Sequence, residues 1–236
     1  MSDTAGQTGR SGNSLIELAF TIVAPALILM KFSGDDALGT VNALLVALAF
    51  PLGWGALEWV RRGKPGWLAA LGLVSVLLTG GIGLLALDPQ WLAIKEAAVP
   101  GAIGLAVLVS ARTRYPLVRT LLYNPTLVDV TRVQQQLDER GTADVFEQRL
   151  LLANSLLAST FFFSSAMNYA LATWIVTSPA GSAAFNEELG RLTLLSYPMI
   201  ALPSMLMMMA VLIFLARTVH SLTGLKFAEM LHAARQ

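Results

Sequence analysis

Apolar runs of about twenty residues recur along this chain, and no other feature restricts its fold so tightly. A hydrocarbon core about 30 Å thick is crossed by roughly 20 apolar residues in an α-helix. Inside lipid every backbone N–H and C=O must find a partner within the protein, which leaves helices or closed barrels as the spanning structures. Six runs have helical spanning length or close to it: residues 14–32, 37–60, 66–87, 91–110, 150–177 and 192–219. Composition agrees. Of 236 residues, 55% are hydrophobic and 13% charged, with mean hydropathy +0.63, against about 25% charged in a soluble domain. The expected fold is all-α: a polytopic membrane helix bundle of about six transmembrane helices.

The distribution of basic residues orients such a bundle, because Lys and Arg in short connections are retained on the cytoplasmic side. With connections assigned alternately to the two faces, thirteen of the sixteen Lys and Arg residues fall on one side, leaving Lys31, Lys95 and Arg191 on the other. Both termini are therefore expected in the cytoplasm. Residues 1–13 read as a disordered cytoplasmic tail, retained rather than cleaved, and 14–110 as transmembrane helices one to four. Residues 111–149 form a cytoplasmic segment, 150–219 carry helices five and six, and 220–236 form a cytoplasmic amphipathic tail. Within 111–149, Asn124-Pro125 breaks the chain and Thr126 with Asp129 resembles a capping box. Leu127, Val130, Val133 and Leu137 follow at helical spacing, and Gly141 ends the pattern. This predicts an amphipathic helix over 126–139, resting on headgroups or on its neighbour, or serving as the docking element for a partner. Asp144 and Glu147 are expected to cap the fifth span.

Several chemistries are excluded or unsupported. The chain has no cysteine, so disulfides, thiolate metal sites and thiol nucleophiles do not arise. His220 and His232 stand twelve residues apart with no companion ligands. No P-loop, G-x-S-x-G or Ser/His/Asp arrangement is present. No catalytic residue, metal or cofactor is expected, and the protein is not expected to be an enzyme. A net charge of +1 gives no footprint for nucleic acid.

Two groups of residues stand out as candidate sites. The fourth span begins Trp91-Leu-Ala-Ile-Lys95-Glu96 and carries Pro100. At 100° per residue, Ala93, Ala97, Gly101 and Gly104 share one narrow stripe suited to close helix packing. Glu96 flanks that stripe and Lys95 points nearly opposite. Glu96 is thus expected to face the bundle, paired with Lys31 or Arg191, while Lys95 snorkels to the headgroups. Lys95, Glu96, Lys31 and Arg191 form a candidate outer charged cluster, read either as the mouth of a site or as helix-end anchors. The fifth span places Asn154, Ala158, Phe161, Ser165, Asn168 and Ala172 on one face. Asn154, Ser165 and Asn168 are its candidate functional polar residues, lining a groove or forming interhelical hydrogen bonds. Prolines at 25, 51, 100, 198 and 203 and the run Thr79–Gly83 predict bent or closely approached helices.

The run "GGIGLLALDPQWLAIK", then "LAVLVS", a basic turn and "YPLVRTLL", with Asn154 and Asn168 followed by Ala172 and Trp174, resembles the intracellular septation protein A family over residues 20–217. Where that family often carries a second lysine two positions on, this chain has Ala97, and Glu96 is an added charge. The resemblance implies a bacterial inner-membrane protein that maintains the cell envelope or division through contacts with other membrane proteins, with no established reaction. Expected partners are membrane lipids, other inner-membrane envelope or division proteins, and a second copy of the chain. The runner-up expectation is a small-solute transporter or lipid translocator using the polar face of the fifth span.

Overall fold

The computed structural model of the chain describes residues 19–62, 67–113, 117–122 and 130–225. The expected tail and start of the first span, the Thr126–Asp129 capping box and residues 226–236 lie outside them. All regular structure among the described residues is helical. The helices are α1 (Ala24–Phe32), α2 (Thr40–Arg62), α3 (Trp67–Leu84), α4 (Gln90–Ser110), α5 (Leu117–Leu122), α6 (Val130–Arg140), α7 (Ala143–Ile175), α8 (Ala183–Ser196) and α9 (Leu202–Thr223). Among the described residues, four helical stretches are long and apolar enough to cross a membrane: Thr40–Leu57, Gln90–Ser110, Ala143–Ile175 and Ala183–Thr223. Ala19–Phe32 and Val74–Leu84 are shorter apolar helices. Large side chains such as Leu77, Leu105, Met205, Leu206 and Trp174 lie exposed. Apolar exposure on that scale is intolerable in water and ordinary in lipid.

Local chemistry explains the boundaries. Asp88 accepts the Gln90 N–H at 2.8 Å with Pro89 next in line, the pairing of a capping side chain with a first-turn proline that starts a helix. Ser182, extended at φ −94°, accepts the Phe185 N–H and starts α8. Gly141 and Gly224 adopt left-handed φ of 62° and 71°, closing α6 and α9 as left-handed caps do. Two wide π turns, Ala19–Val23 and Tyr197–Ala201, precede α1 and α9. Each contains the carbonyl, of Thr21 or Met199, that Pro25 or Pro203 has no N–H to bond, so the backbone widens there.

Two differences from the sequence reading follow. The fifth helix starts at Ala143, several residues before the expected span, because Thr142 directly follows the Gly141 cap and accepts the Phe146 N–H at 3.0 Å. The connection before the sixth span is largely the helix α8, joined to α9 through the π turn.

The chain divides into two compact units. The first comprises residues 1–97 and 167–199. In it α8 lies against α1, where Gly190 meets the Ala26 carbonyl, and α2 lies against α3, where Leu44 and Leu48 meet Gly83 and Gly80. The second comprises 98–166 and 200–236. Its core joins Val107, Val118, Val133, Leu137, Phe146, Leu150, Val211 and Leu215. Val133 and Leu137 of the amphipathic helix α6 are buried in that core. The apolar face of that helix thus rests on its neighbours within the chain.

Candidate functional site

The charged start of α4 is held in the first unit. Lys95 reaches toward α3, donating from Nζ to Thr79 Oγ1 at 2.7 Å and Ser75 Oγ at 3.2 Å. Its ion partner is Glu96, at 2.6 Å. The Lys95 side chain is 11% exposed and that of Glu96 32%, so the lysine is the inward member. This reverses the expected division of labour, in which Glu96 faced the bundle and Lys95 snorkelled. A flexible four-carbon stem lets the ammonium reach hydroxyls on a neighbouring helix that the angular position of its Cα did not reveal. Nor does Arg191 pair with Glu96; it pairs with Glu187, one turn earlier on α8. Lys31 is exposed at the end of α1. The four residues of the expected outer cluster thus resolve into a Lys95–Glu96 pair bonded to Thr79 and Ser75, the exposed Lys31 at the end of α1, and Arg191 paired within α8.

Asn154 is fully buried in the second unit and acts as a clamp. Its Nδ2 donates to the Val107 carbonyl at 2.6 Å, and its Oδ1 accepts from the Val118 N–H at 3.3 Å. These partners assign the amide unambiguously, since a carbonyl only accepts and an N–H only donates. Val107 lies in the last turn of α4 and Val118 in the first turn of α5, where backbone groups have no intrahelical partner. Ser110 completes the arrangement, donating to the Val107 carbonyl at 2.6 Å and accepting the Leu117 N–H at 3.1 Å. Arg119 on α5 pairs with Glu147 on α7 at 3.0 Å.

Further along α7, Ser165 lies against Gly101, and Phe161 and the Ala158 carbonyl lie against Gly104. A Cβ at Gly101 would sit 3.0 Å from Ser165 Oγ, and one at Gly104 would sit 3.1 Å from Phe161 Cβ. Gly101 and Gly104 of the small-residue stripe are therefore the positions of α4 on which this part of α7 packs. Asn168, half-buried, belongs to the first unit, and Ser165 and Asn154 to the second.

No family model, curated protein or solved structure matches this chain.

A second buried asparagine escaped the sequence reading. Asn186 on α8 donates from Nδ2 to Ser33 Oγ at 3.1 Å and to the Thr40 carbonyl at 2.8 Å. It ties the end of α1 to the start of α2 much as Asn154 ties α4 to α5. Nearby, Glu188 accepts from the backbone and hydroxyl groups of Thr177 and Ser178 at 2.8 to 3.2 Å, capturing the chain as it leaves α7. Residues 178–191 fall between the apolar runs 150–177 and 192–219. The signal that identifies this stretch as a helix was present: Ser182 as a cap, then Phe185, Leu189 and Leu192 at helical spacing.

Proposed function

We propose that the protein is a bacterial inner-membrane protein of six spans, both termini cytoplasmic, that supports cell-envelope integrity or division by binding other membrane proteins. We propose no reaction, cofactor or metal for it. The supporting observation is the state of Asn154: the most buried polar side chain of α7 has its donor and an acceptor engaged by the chain's own backbone. A translocation groove needs polar groups that exchange partners with a passing solute, whereas a scaffold needs them engaged internally. The resemblance to the intracellular septation protein A family is in line with this reading. The first and third spans complete the six if Ala19–Phe32 and Val74–Leu84 belong to longer apolar segments.

Transport is the second reading, and one observation favours it. Lys95 sits among Glu96, Thr79 and Ser75, and an ionisable group within a spanning helix marks ion and solute paths in many membrane proteins. Thiol accessibility separates the two. Because the chain has no cysteine, single cysteines at Asn154, Ser165 and Asn168 report without background. A scaffold leaves all three unlabelled by a water-soluble maleimide. Labelling at all three, with protection by a solute or lipid, would reject the scaffold reading. Reporter fusions after Gly63 and Arg140 are expected to score cytoplasmic and after Gly181 periplasmic; a cytoplasmic score after Gly181 breaks the six-span arrangement.

A further inference from the structure

Within the second unit, α7 and α9 enclose a recess of about 300 Å³ lined by Val145, Arg149, Phe214, Arg217, Thr218, Ser221 and Leu222. We propose that this recess binds a phosphate group, with Arg149 and Arg217 as its two guanidinium donors.

Placement comes first. Arg149 precedes a stretch of α7 with no charged residue as far as Ile175, and Arg217 ends the uncharged run that begins at Leu192. The two helices run in opposite directions through their apolar lengths, yet their arginines line one recess. Both charges therefore mark the same edge of the apolar zone, the depth at which lipid phosphates lie. On α9 the lining positions 214, 217, 218, 221 and 222 recur at helical spacing and form a single face.

Charge supplies the second argument. Two other arginines have carboxylate partners, Arg119 with Glu147 and Arg191 with Glu187. Among the described residues no carboxylate ion-pairs with Arg149 or Arg217. Two cations sharing a recess repel unless an anion joins them. Guanidinium forks match phosphate oxygens with paired N–H donors, which makes arginine pairs well suited to that anion. Arg149 is also held in place, its Cζ 5.9 Å from the centroid of the Phe214 ring. The hydroxyls of Thr218 and Ser221 complete a polar floor, and Val145 and Leu222 give the recess apolar flanks. A phosphate carrying an apolar tail fits that combination.

The same phosphate chemistry is offered by a lipid headgroup and by free phosphate, and titration distinguishes them. Full-length protein purified in detergent and stripped of lipid is titrated with phosphatidylglycerol, with phosphatidylcholine and with inorganic phosphate, and adducts are followed by native mass spectrometry and melting temperature. A lipid site retains phosphatidylglycerol over phosphatidylcholine and is not displaced by millimolar phosphate. A site for the free anion is stabilised by inorganic phosphate and shows no preference between the lipids. In either case Arg149→Gln and Arg217→Gln each weaken binding roughly tenfold, as loss of a charged hydrogen bond does. Ser221→Glu, at an exposed position, keeps both arginines and places a carboxylate in the recess; it abolishes binding without lowering the melting temperature of the unliganded protein. Arg112→Gln, at an exposed arginine outside the recess, leaves binding unchanged. Equal binding by wild type, the double Arg→Gln variant and Ser221→Glu overturns the proposal, as does the absence of binding by any of the three ligands.

Discussion

Replacing Asn154 with Ala removes the clamp between α4 and α5 and tests the packing role of α7 directly. Three contacts are lost: the 2.6 Å bond to the Val107 carbonyl, the 3.3 Å bond from the Val118 N–H and a 3.5 Å contact from the Ser110 hydroxyl. Their consequences differ. Val107 keeps the Ser110 hydroxyl at 2.6 Å, so its carbonyl remains bonded. Val118, buried at the start of α5, loses the acceptor for its N–H. Interhelical polar contacts in membrane proteins contribute about 0.6 kcal/mol each, up to about 1.7, and an orphaned buried donor costs about 1–3 kcal/mol. These figures overlap because they describe the same bonds, and together they give an expected loss of about 2–3 kcal/mol. Equilibrium unfolding of the purified protein in mixed detergent micelles measures it. Ser155→Ala is the matched control: Ser155 is exposed and its hydroxyl bonds to the Leu151 carbonyl of its own helix, so a change within about 0.5 kcal/mol is expected. Asn154→Asp tests the donor separately, because a carboxylate keeps an acceptor for Val118 and offers Val107 no proton; it is expected to be at least as damaging as Ala. If Asn154→Ala and Ser155→Ala unfold at the same denaturant concentration, the clamp has no energetic role and the packing argument fails.

At the start of α4, Lys95→Met is expected to destabilise more than Glu96→Gln. The lysine removes its contacts with Thr79 and Ser75 as well as the ion pair, for about 1–3 kcal/mol in a partly buried setting, whereas the more exposed glutamate is worth less than about 1 kcal/mol. The reverse order of melting temperatures would show that Glu96 is the inward residue after all. Gly190→Ala should cost about 1–3 kcal/mol by overpacking, because its Cβ would stand 2.6 Å from the Ala26 carbonyl oxygen, which cannot rotate away. Unchanged melting would mean that α1 and α8 separate freely.

The elements of this protein were legible in its sequence to the extent that one helix at a time determines them. Apolar length marked α2, α4, α7 and α9 as spanning helices, since the backbone must bond to itself wherever apolar side chains enter lipid. Asp88-Pro89, Gly141 and the 130–137 pattern set boundaries through caps and left-handed turns, which depend on neighbours a few residues away. On α7, Asn154, Ala158 and Ala172 of the small and polar stripe are buried, and Phe161, Ser165 and Asn168 are half-buried. Helical period turns sequence spacing into a shared face. Tertiary structure decided the partners. Position on a helix wheel placed Lys95 and Glu96 on different faces, but a long side chain can bend toward hydroxyls on the next helix, and only the position of Ser75 and Thr79 shows that it does. The groups bonded by Asn154 lie 36 and 47 residues away, and those bonded by Asn186 lie 146 and 153 residues away. No local pattern encodes those distances. The unpaired carbonyls and N–H groups at helix ends are predictable in kind from the sequence, and which distant side chain satisfies them is fixed only when the helices pack.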